Sequence, residues 1–235
     1  MIELPRPLTT LTVDIFGTVM DLSQSLIPPI DQFLAAKGAA CSGLALWEQW
    51  RARQRIEQYQ DSLMMLGHAG YLETCRRALV YCLRDQKISF TPDEVNGLMQ
   101  AWRELNPFED AVEGLALLGE VYKLVALSNG DESYLGYILE TRIPGVFDDI
   151  ISVDLAGVFK PHPAAYRAAA QKLCLEPAEV MMVAAHSFDI MGARACGYRG
   201  AYINRYSLPF EETWYQPDIE VRDFIELSKM LIPGG

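Results

Sequence analysis

A rhythm of short apolar runs alternating with amphipathic stretches, broken once by a long segment without such runs, limits this chain to few folds. Residues 8–14 (LTTLTVD) mix β-branched and leucyl residues and end at a Phe-Gly-Thr turn, the pattern of a buried strand meeting a loop. Similar runs recur at 124–127 before Ser-Asn-Gly, at 149–153, 180–185 and 201–204, with a weaker one at 218–221. Between them, residues 111–120, 132–141, 163–173 and 189–196 carry helical spacing. Alternation of this kind predicts an α/β fold: a parallel sheet with helices on both faces, because each crossover between parallel strands is a helix.

From Val19 to about Asn106 the strand signal is gone, and helical patterns run through 30–37, 46–65, 71–85 and 92–105. An all-helical insertion after the first strand follows, with a core of residues 1–20 and 107–235 and an inserted module of 21–106. The chain returns through Asn106-Pro107-Phe108, where proline disfavours helix at the residue before it, so one hinge is expected there and another within 21–29. There is no internal repeat or low-complexity tract, and residues 232–235 read as a loose tail.

Half of the residues are apolar, enough for a substantial core. The formal charge of -11 and the lack of a Lys/Arg run argue against a nucleic-acid partner, which would need a concentrated positive surface. No apolar stretch reaches the roughly 20 residues of a membrane-spanning helix, and the start MIELPRPLTT lacks the basic and apolar regions of a signal peptide. A cytoplasmic protein with no membrane partner is the expectation. Five cysteines without a CxxC pair suit a reducing compartment. Cys75 and Cys82 lie two helical turns apart with no neighbouring histidine, so core packing is expected of them rather than metal binding. The inserted helices are rich in Met, Leu and Tyr, and an apolar patch on them would suit a homodimer.

In an open α/β sheet, ligands bind beyond the carboxyl ends of the strands. The residues expected there are Asp14 after the first strand, Ser128 and Asn129 after the second, Lys160 beyond the third, and His186 with Asp189 after the fourth. Each is weak alone: an aspartate at a strand end can simply cap a loop, Ser-Asn-Gly is a common turn, and Lys-Pro is a common surface element. Together they form a set of nucleophile, cation and hydrogen-bonding groups converging on one crevice.

In this order, Asp14-Ile15-Phe16-Gly17-Thr18, Leu127-Ser128-Asn129-Gly130, Lys160-Pro161 and the run from His186 to Ala193 (HSFDIMGA) resemble the haloacid dehalogenase superfamily over nearly the whole chain. The resemblance implies a Rossmann-like core with a helical cap inserted after the first strand, and a nucleophilic carboxylate at Asp14. Phosphatases of that superfamily carry a second aspartate where Phe16 stands and a magnesium-binding carboxylate where Ala185 stands. Only Asp189 remains of the acidic group in the fourth motif.

Displacement at carbon accounts for both losses, since a halide leaves without a proton from a general acid. The Asp-x-Phe/Tyr-Gly-Thr pattern is similar to the (S)-2-haloacid dehalogenase branch. That likeness implies attack of Asp14 on a 2-halocarboxylate, release of halide and hydrolysis of the Asp14 ester, without metal or other cofactor. Lys160 would hold Asp14 ionised, with Thr18, Ser128 and Asn129 supplying hydrogen bonds to the nucleophile or the substrate carboxylate. Trp50-Arg51-Ala52-Arg53-Gln54 with Ser62-Leu63 resembles the cap segment of that branch, where Arg51 matches the residue that receives the halide. Arg51, Arg53 and Arg55 also read as a solvated helix face. Tyr166 matches a tyrosine of that branch, which implies a place among the substrate-binding residues, and is equally compatible with a half-buried helix position.

Phe16 and Phe188 are expected to line the substrate pocket. Ala184 and His186 depart from the branch, which carries Ser and Asn there. His186 is therefore expected as the base for ester hydrolysis, oriented by Asp189 or Asp21. Rival readings keep the scaffold and change the chemistry to opening another activated C–X bond, such as azetidine-2-carboxylate, or to a magnesium phosphatase. A catalytically dead binding protein is the reading of a different class, and a buried lysine-carboxylate cluster argues against it.

Overall fold

The computed structural model describes residues 7–65 and 67–232, so residues 233–235 of the expected tail lie outside the described residues. The chain divides into two compact units, residues 1–20 with 107–235, and residues 21–106. In chain order the elements are β1 (Thr10–Val13), β2 (Met20–Asp21), α1 (Leu22–Lys37), α2 (Gly43–Met64), α3 (Tyr71–Asp85), α4 (Pro92–Gln100) and β3 (Asn106–Pro107). There follow α5 (Glu109–Gly119), β4 (Lys123–Ser128), α6 (Glu132–Arg142), β5 (Asp149–Ser152), α7 (Pro163–Leu173), β6 (Val180–Ala184), α8 (Ser187–Ala195), β7 (Arg199–Ile203), β8 (Ile219–Val221) and α9 (Phe224–Leu231).

The first unit is a six-stranded Rossmann-like parallel sheet flanked by helices, in the order β5-β4-β1-β6-β7-β8. The weakest of the expected strands, 218–221, is real and forms the edge. All four residues of β1 are buried, as a central strand requires; Thr12 tolerates this because its hydroxyl donates to the Met181 carbonyl at 3.3 Å. Register decides the rest. Val13 lies opposite Ala126 of β4 and Val183 of β6, so the chain emerges from three adjacent strands at one sheet edge. Beneath that edge a layer of Val125, Leu127, Met182, Ala184, Ile190 and Tyr202 is closed to solvent.

The second unit is helical throughout α1 to α4. Its first helix begins at Leu22, within the segment where a hinge was expected, and continues through Pro28 and Pro29. Two features outweigh the prolines. Asp21 caps the helix, its carboxylate accepting from Gln24 N at 3.0 Å. Leu22, Leu26, Ile30 and Leu34 form a buried stripe at four-residue spacing, each side chain contributing about 1.5–3 kcal/mol by leaving water. The centre of the unit is aromatic: the Trp50 and Trp102 rings meet edge-on at 5.8 Å, and Tyr71 meets Trp102 at 5.7 Å. Trp50 settles its indole N–H on the Cys75 carbonyl at 2.7 Å. Cys75 and Cys82 are buried free thiols in α3, and the amide of Gln54 donates to the Cys75 sulfur. A capping box of Thr91 and Glu94 starts α4. Among the described residues no helix is long and apolar enough to cross a membrane.

Candidate active site

Asp14 is the first residue beyond β1, and its N–H still donates to Val183 O at 2.9 Å, so the strand delivers its carboxylate to the sheet edge in a fixed direction. One oxygen, Oδ2, accepts from the Thr18 hydroxyl at 2.7 Å; the other, Oδ1, accepts from Lys160 Nζ at 3.0 Å. Thr18 can reach back because the intervening loop is tight, with Val19 and Met20 both donating to Ile15 O. Gly17 turns that loop at φ +92°, a backbone conformation that carries little strain only without a side chain. The Thr18 oxygen in turn accepts from Ala185 N at 2.9 Å, locking the nucleophile loop to the end of β6.

Lys160 is 1% exposed and its ammonium has three partners: Asp14, the Leu127 carbonyl at 2.7 Å, and Asp189 Oδ2 at 2.5 Å. Asp189 is fully buried, with its second oxygen taken by the Tyr166 hydroxyl at 2.7 Å. Burial raises the pKa of the Asp14 carboxyl, but the Lys160 ammonium, His186 and the Thr18 hydrogen bond outweigh it and hold the group below its ordinary value. At Asp189 burial wins, aided by the negative charge of Asp14, and the carboxyl is pushed up to about 6 despite Lys160 and Tyr166. Burial also works against the charged form of Lys160, and its two carboxylates outweigh that and raise it. The site thus holds an ionised aspartate, a permanent ammonium and a second carboxyl behind it.

Several expected residues are placed differently from their expected roles. Asn129 reaches Lys160: its Oδ1 accepts from Lys160 N at 2.8 Å, which fixes the backbone from which the lysine extends. The Ser128 hydroxyl accepts from Gly130 N at 3.1 Å, shaping the turn after β4. Tyr166, expected at the substrate, has no exposed surface and spends its hydroxyl on Asp189; α7 packs its ring inside the core, so it supports a carboxylate instead of lining a pocket. Asp189, expected to orient His186, has its oxygens on Lys160 and Tyr166.

Phe16 is buried and lies parallel to Tyr134 at 5.4 Å, over Gly130, where an added Cβ would come within 2.7 Å of the ring. Phe188 stacks on the His186 imidazole at 5.4 Å. Arg51 belongs to α2 of the helical unit, where its guanidinium donates to Gln54 Oε1 at 2.6 Å. Arg53 of the same helix is engaged twice by Glu57, at 2.9 and 2.6 Å.

Sequence reasoning missed Arg205 and Tyr206, which hold the nucleophile loop from the end of β7. The signal was present: they follow the expected strand at 201–204, and the strand-end rule applied to the other strands points at them as well.

The same arrangement bears on magnesium, which the superfamily's phosphatases use. A divalent ion binds between carboxylates with near-octahedral oxygen ligands. Here the Lys160 ammonium lies between Asp14 and Asp189, bonded to both, and already offsets part of their charge. Phe16 and Ala185 add no oxygen side chain. The residues present do not fit the ion.

A family model described as haloacid dehalogenase-like hydrolase matches residues 8–197. Among curated proteins, the (S)-2-haloacid dehalogenase of Xanthobacter autotrophicus is 32% identical over 197 residues, 83% of this chain and 74% of that protein. Haloacetate dehalogenase H-2 of Moraxella sp. (strain B) is 28% identical over 218 residues, 92% of this chain and 94% of that protein. Among solved structures, the L-2-haloacid dehalogenase of Xanthobacter autotrophicus with chloropropionic acid covalently bound superposes with a TM-score of 0.81 at 26% identity, covering 97% of this chain and all of that one. With the strand-end cluster built as described, the chain belongs to the haloacid dehalogenase-like hydrolases, in the (S)-2-haloacid dehalogenase branch.

Proposed function

We propose that this chain hydrolyses short 2-haloalkanoic acids to 2-hydroxyalkanoic acids through an ester on Asp14. The observation that carries the reading is the pairing of Asp14 with Lys160 and Thr18. It keeps the carboxylate ionised in a nearly dry site, where an unsolvated anion is a strong nucleophile. Asp14 attacks the halogen-bearing carbon from the face opposite the halide, and the C–X bond breaks as the C–O bond forms. Water then adds to the ester carbonyl with its proton passing to His186. The tetrahedral adduct collapses, the 2-hydroxy acid leaves with that proton, and the Asp14 carboxyl sheds the second water proton to solvent, which regenerates the carboxylate. Phe16 and Phe188 supply apolar surface to the substrate.

The named activities of the relatives, on haloacetate and on (S)-2-haloacids, support a substrate of two or three carbons with its carboxylate next to the reacting carbon. The test is halide release from chloroacetate and (S)-2-chloropropionate, with and without EDTA, in ¹⁸O-labelled water under single-turnover conditions. Halide release insensitive to EDTA, with one ¹⁸O entering the Asp14 peptide, is the expected result. Label appearing only in the hydroxy acid, or turnover of an aryl phosphate that EDTA abolishes, would overturn the proposal.

A further inference from the structure

Phe16 follows the nucleophile by two residues, and the backbone that carries it has little freedom. Gly17 O accepts from the Tyr206 hydroxyl at 2.8 Å and Thr18 O from Arg205 Nε at 2.8 Å, Arg205 being fixed in turn by two 2.8 Å bonds to Asp110. What remains to be set is the direction of the Phe16 ring. Its edge rests on Gly130, where an added Cβ would come within 2.7 Å of Cε2 and 3.3 Å of Cζ. That floor is rigid, because β4 and β5 place Ser128 opposite Ser152 and the two hydroxyls pin Gly130 at both ends. Gly130 N donates to Ser128 Oγ at 3.1 Å, and Gly130 O accepts from Ser152 Oγ at 2.7 Å. One face of the ring is covered by Tyr134, parallel to within 3° at a centroid separation of 5.4 Å. Tyr134 stands in the first turn of α6, the helix that follows β4, in a buried stripe with Leu135, Ile138 and Leu139. Both rings are buried.

We propose that Tyr134 is a positioning residue that sets substrate size: by holding the Phe16 ring against Gly130, it fixes the space open to the substituent on the halogen-bearing carbon. A phenyl ring has two faces. With Tyr134 on one and Gly130 under the edge, the other is the face that Phe16 presents as a wall. A ring braced in this way does not retreat from a longer substituent, so the pocket takes haloacids of two or three carbons and discriminates against longer ones. This inference rests on the reading of Phe16 as apolar surface to the substrate. Tyr134 takes no part in the hydrogen bonds of Asp14 with Thr18 and Lys160, so displacement at carbon survives its replacement.

The test measures kcat/KM for halide release from (S)-2-chlorobutyrate and (S)-2-chloropropionate, in the parent and in Tyr134→Phe, Tyr134→Leu, Phe16→Leu and the combination of the last two. In Tyr134→Leu the ratio of chlorobutyrate to chloropropionate rises roughly 10-fold, the low end of what one methylene is worth in a tight apolar pocket. Tyr134→Phe keeps the ring and the parent ratio. Phe16→Leu raises the ratio by itself, and adding Tyr134→Leu moves it no further, because Tyr134 acts through Phe16. Tyr134→Met, a second replacement without a ring, carries the same expectation should Tyr134→Leu fail to fold. A general packing defect lowers kcat/KM for both substrates by one factor and leaves the ratio where it was. An unmoved ratio in Tyr134→Leu beside a raised one in Phe16→Leu refutes the role of Tyr134 and leaves Phe16 as the wall. If Phe16→Leu does not move the ratio either, both fall.

Discussion

Replacing Lys160 by methionine keeps the length of the side chain and removes its charge, leaving Asp14, Asp189 and the Leu127 carbonyl without their common donor. At the observed 3.0 Å between Nζ and Asp14 Oδ1, a charge pair at an effective dielectric near 20 is worth about 5 kcal/mol. That is a shift of roughly four powers of ten in the balance between ionised and neutral Asp14, at 1.36 kcal/mol per tenfold. In the parent, Asp14 is held below its ordinary value, so the acid limb of kcat/KM for halide release falls in strongly acidic solution. In Lys160→Met that limb moves to higher pH, and the variant regains activity as the pH is raised. Stability falls as well, by about 3–5 kcal/mol, the usual cost of removing one partner from a buried ion pair. The assay is therefore the pH dependence of the halide burst, at a temperature where circular dichroism shows the variant folded. A variant profile parallel to that of the parent, lower at every pH with its acid limb unmoved, would refute the reasoning that Lys160 acts through the ionisation of Asp14.

Two further outcomes follow from the geometry. Gly130→Ala brings a Cβ to 2.7 Å from the Phe16 ring and pushes it off Tyr134; KM for 2-chloropropionate rises by roughly an order of magnitude, with the loss smaller for chloroacetate, and equal losses for the two substrates would argue against Phe16 as pocket wall. Asp189 bears on stability through its raised carboxyl: the protonated form is the one the fold favours, so its contribution is fully present below the ordinary carboxylate value and is lost as pH rises through about 6. Asp189→Asn abolishes that loss, so its unfolding free energy relative to the parent climbs between pH 4 and pH 7 by about 3 kcal/mol; chemical denaturation across that range tests it, and a constant difference would contradict the assignment.

The period of the apolar pattern and the residues at its breaks are local properties, and they were legible in the chain. Runs such as 8–14 and 180–185 read as buried strands because continuous apolar segments bounded by turn residues have few other uses. The rule that ligands gather at the carboxyl ends of parallel strands then singled out Asp14, Lys160, His186 and Asp189. Even the loss of strand signal after Val19 was visible, since it needs only composition and spacing. The start of α1 was not: Pro28 and Pro29 argue locally for a break, and only the burial of Leu22, Leu26, Ile30 and Leu34 together decides for a helix.

What the tertiary structure alone decided is which atom meets which. Asp14 and Lys160 lie 146 residues apart in the chain, and Tyr206 and Gly17 lie 189 apart. Their contacts depend on the register of β1 against β4 and β6, and on the order in which β7 joins the sheet. Thus Tyr166 turned from a pocket residue into the partner of Asp189, Asn129 into a clamp on the Lys160 backbone, and Tyr206 into the ring beside His186. A hydrogen bond is set to within a few tenths of an ångström by the packing of the elements that carry its two ends. Sequence spacing names the element on which a residue stands, and only the assembled sheet brings those ends together.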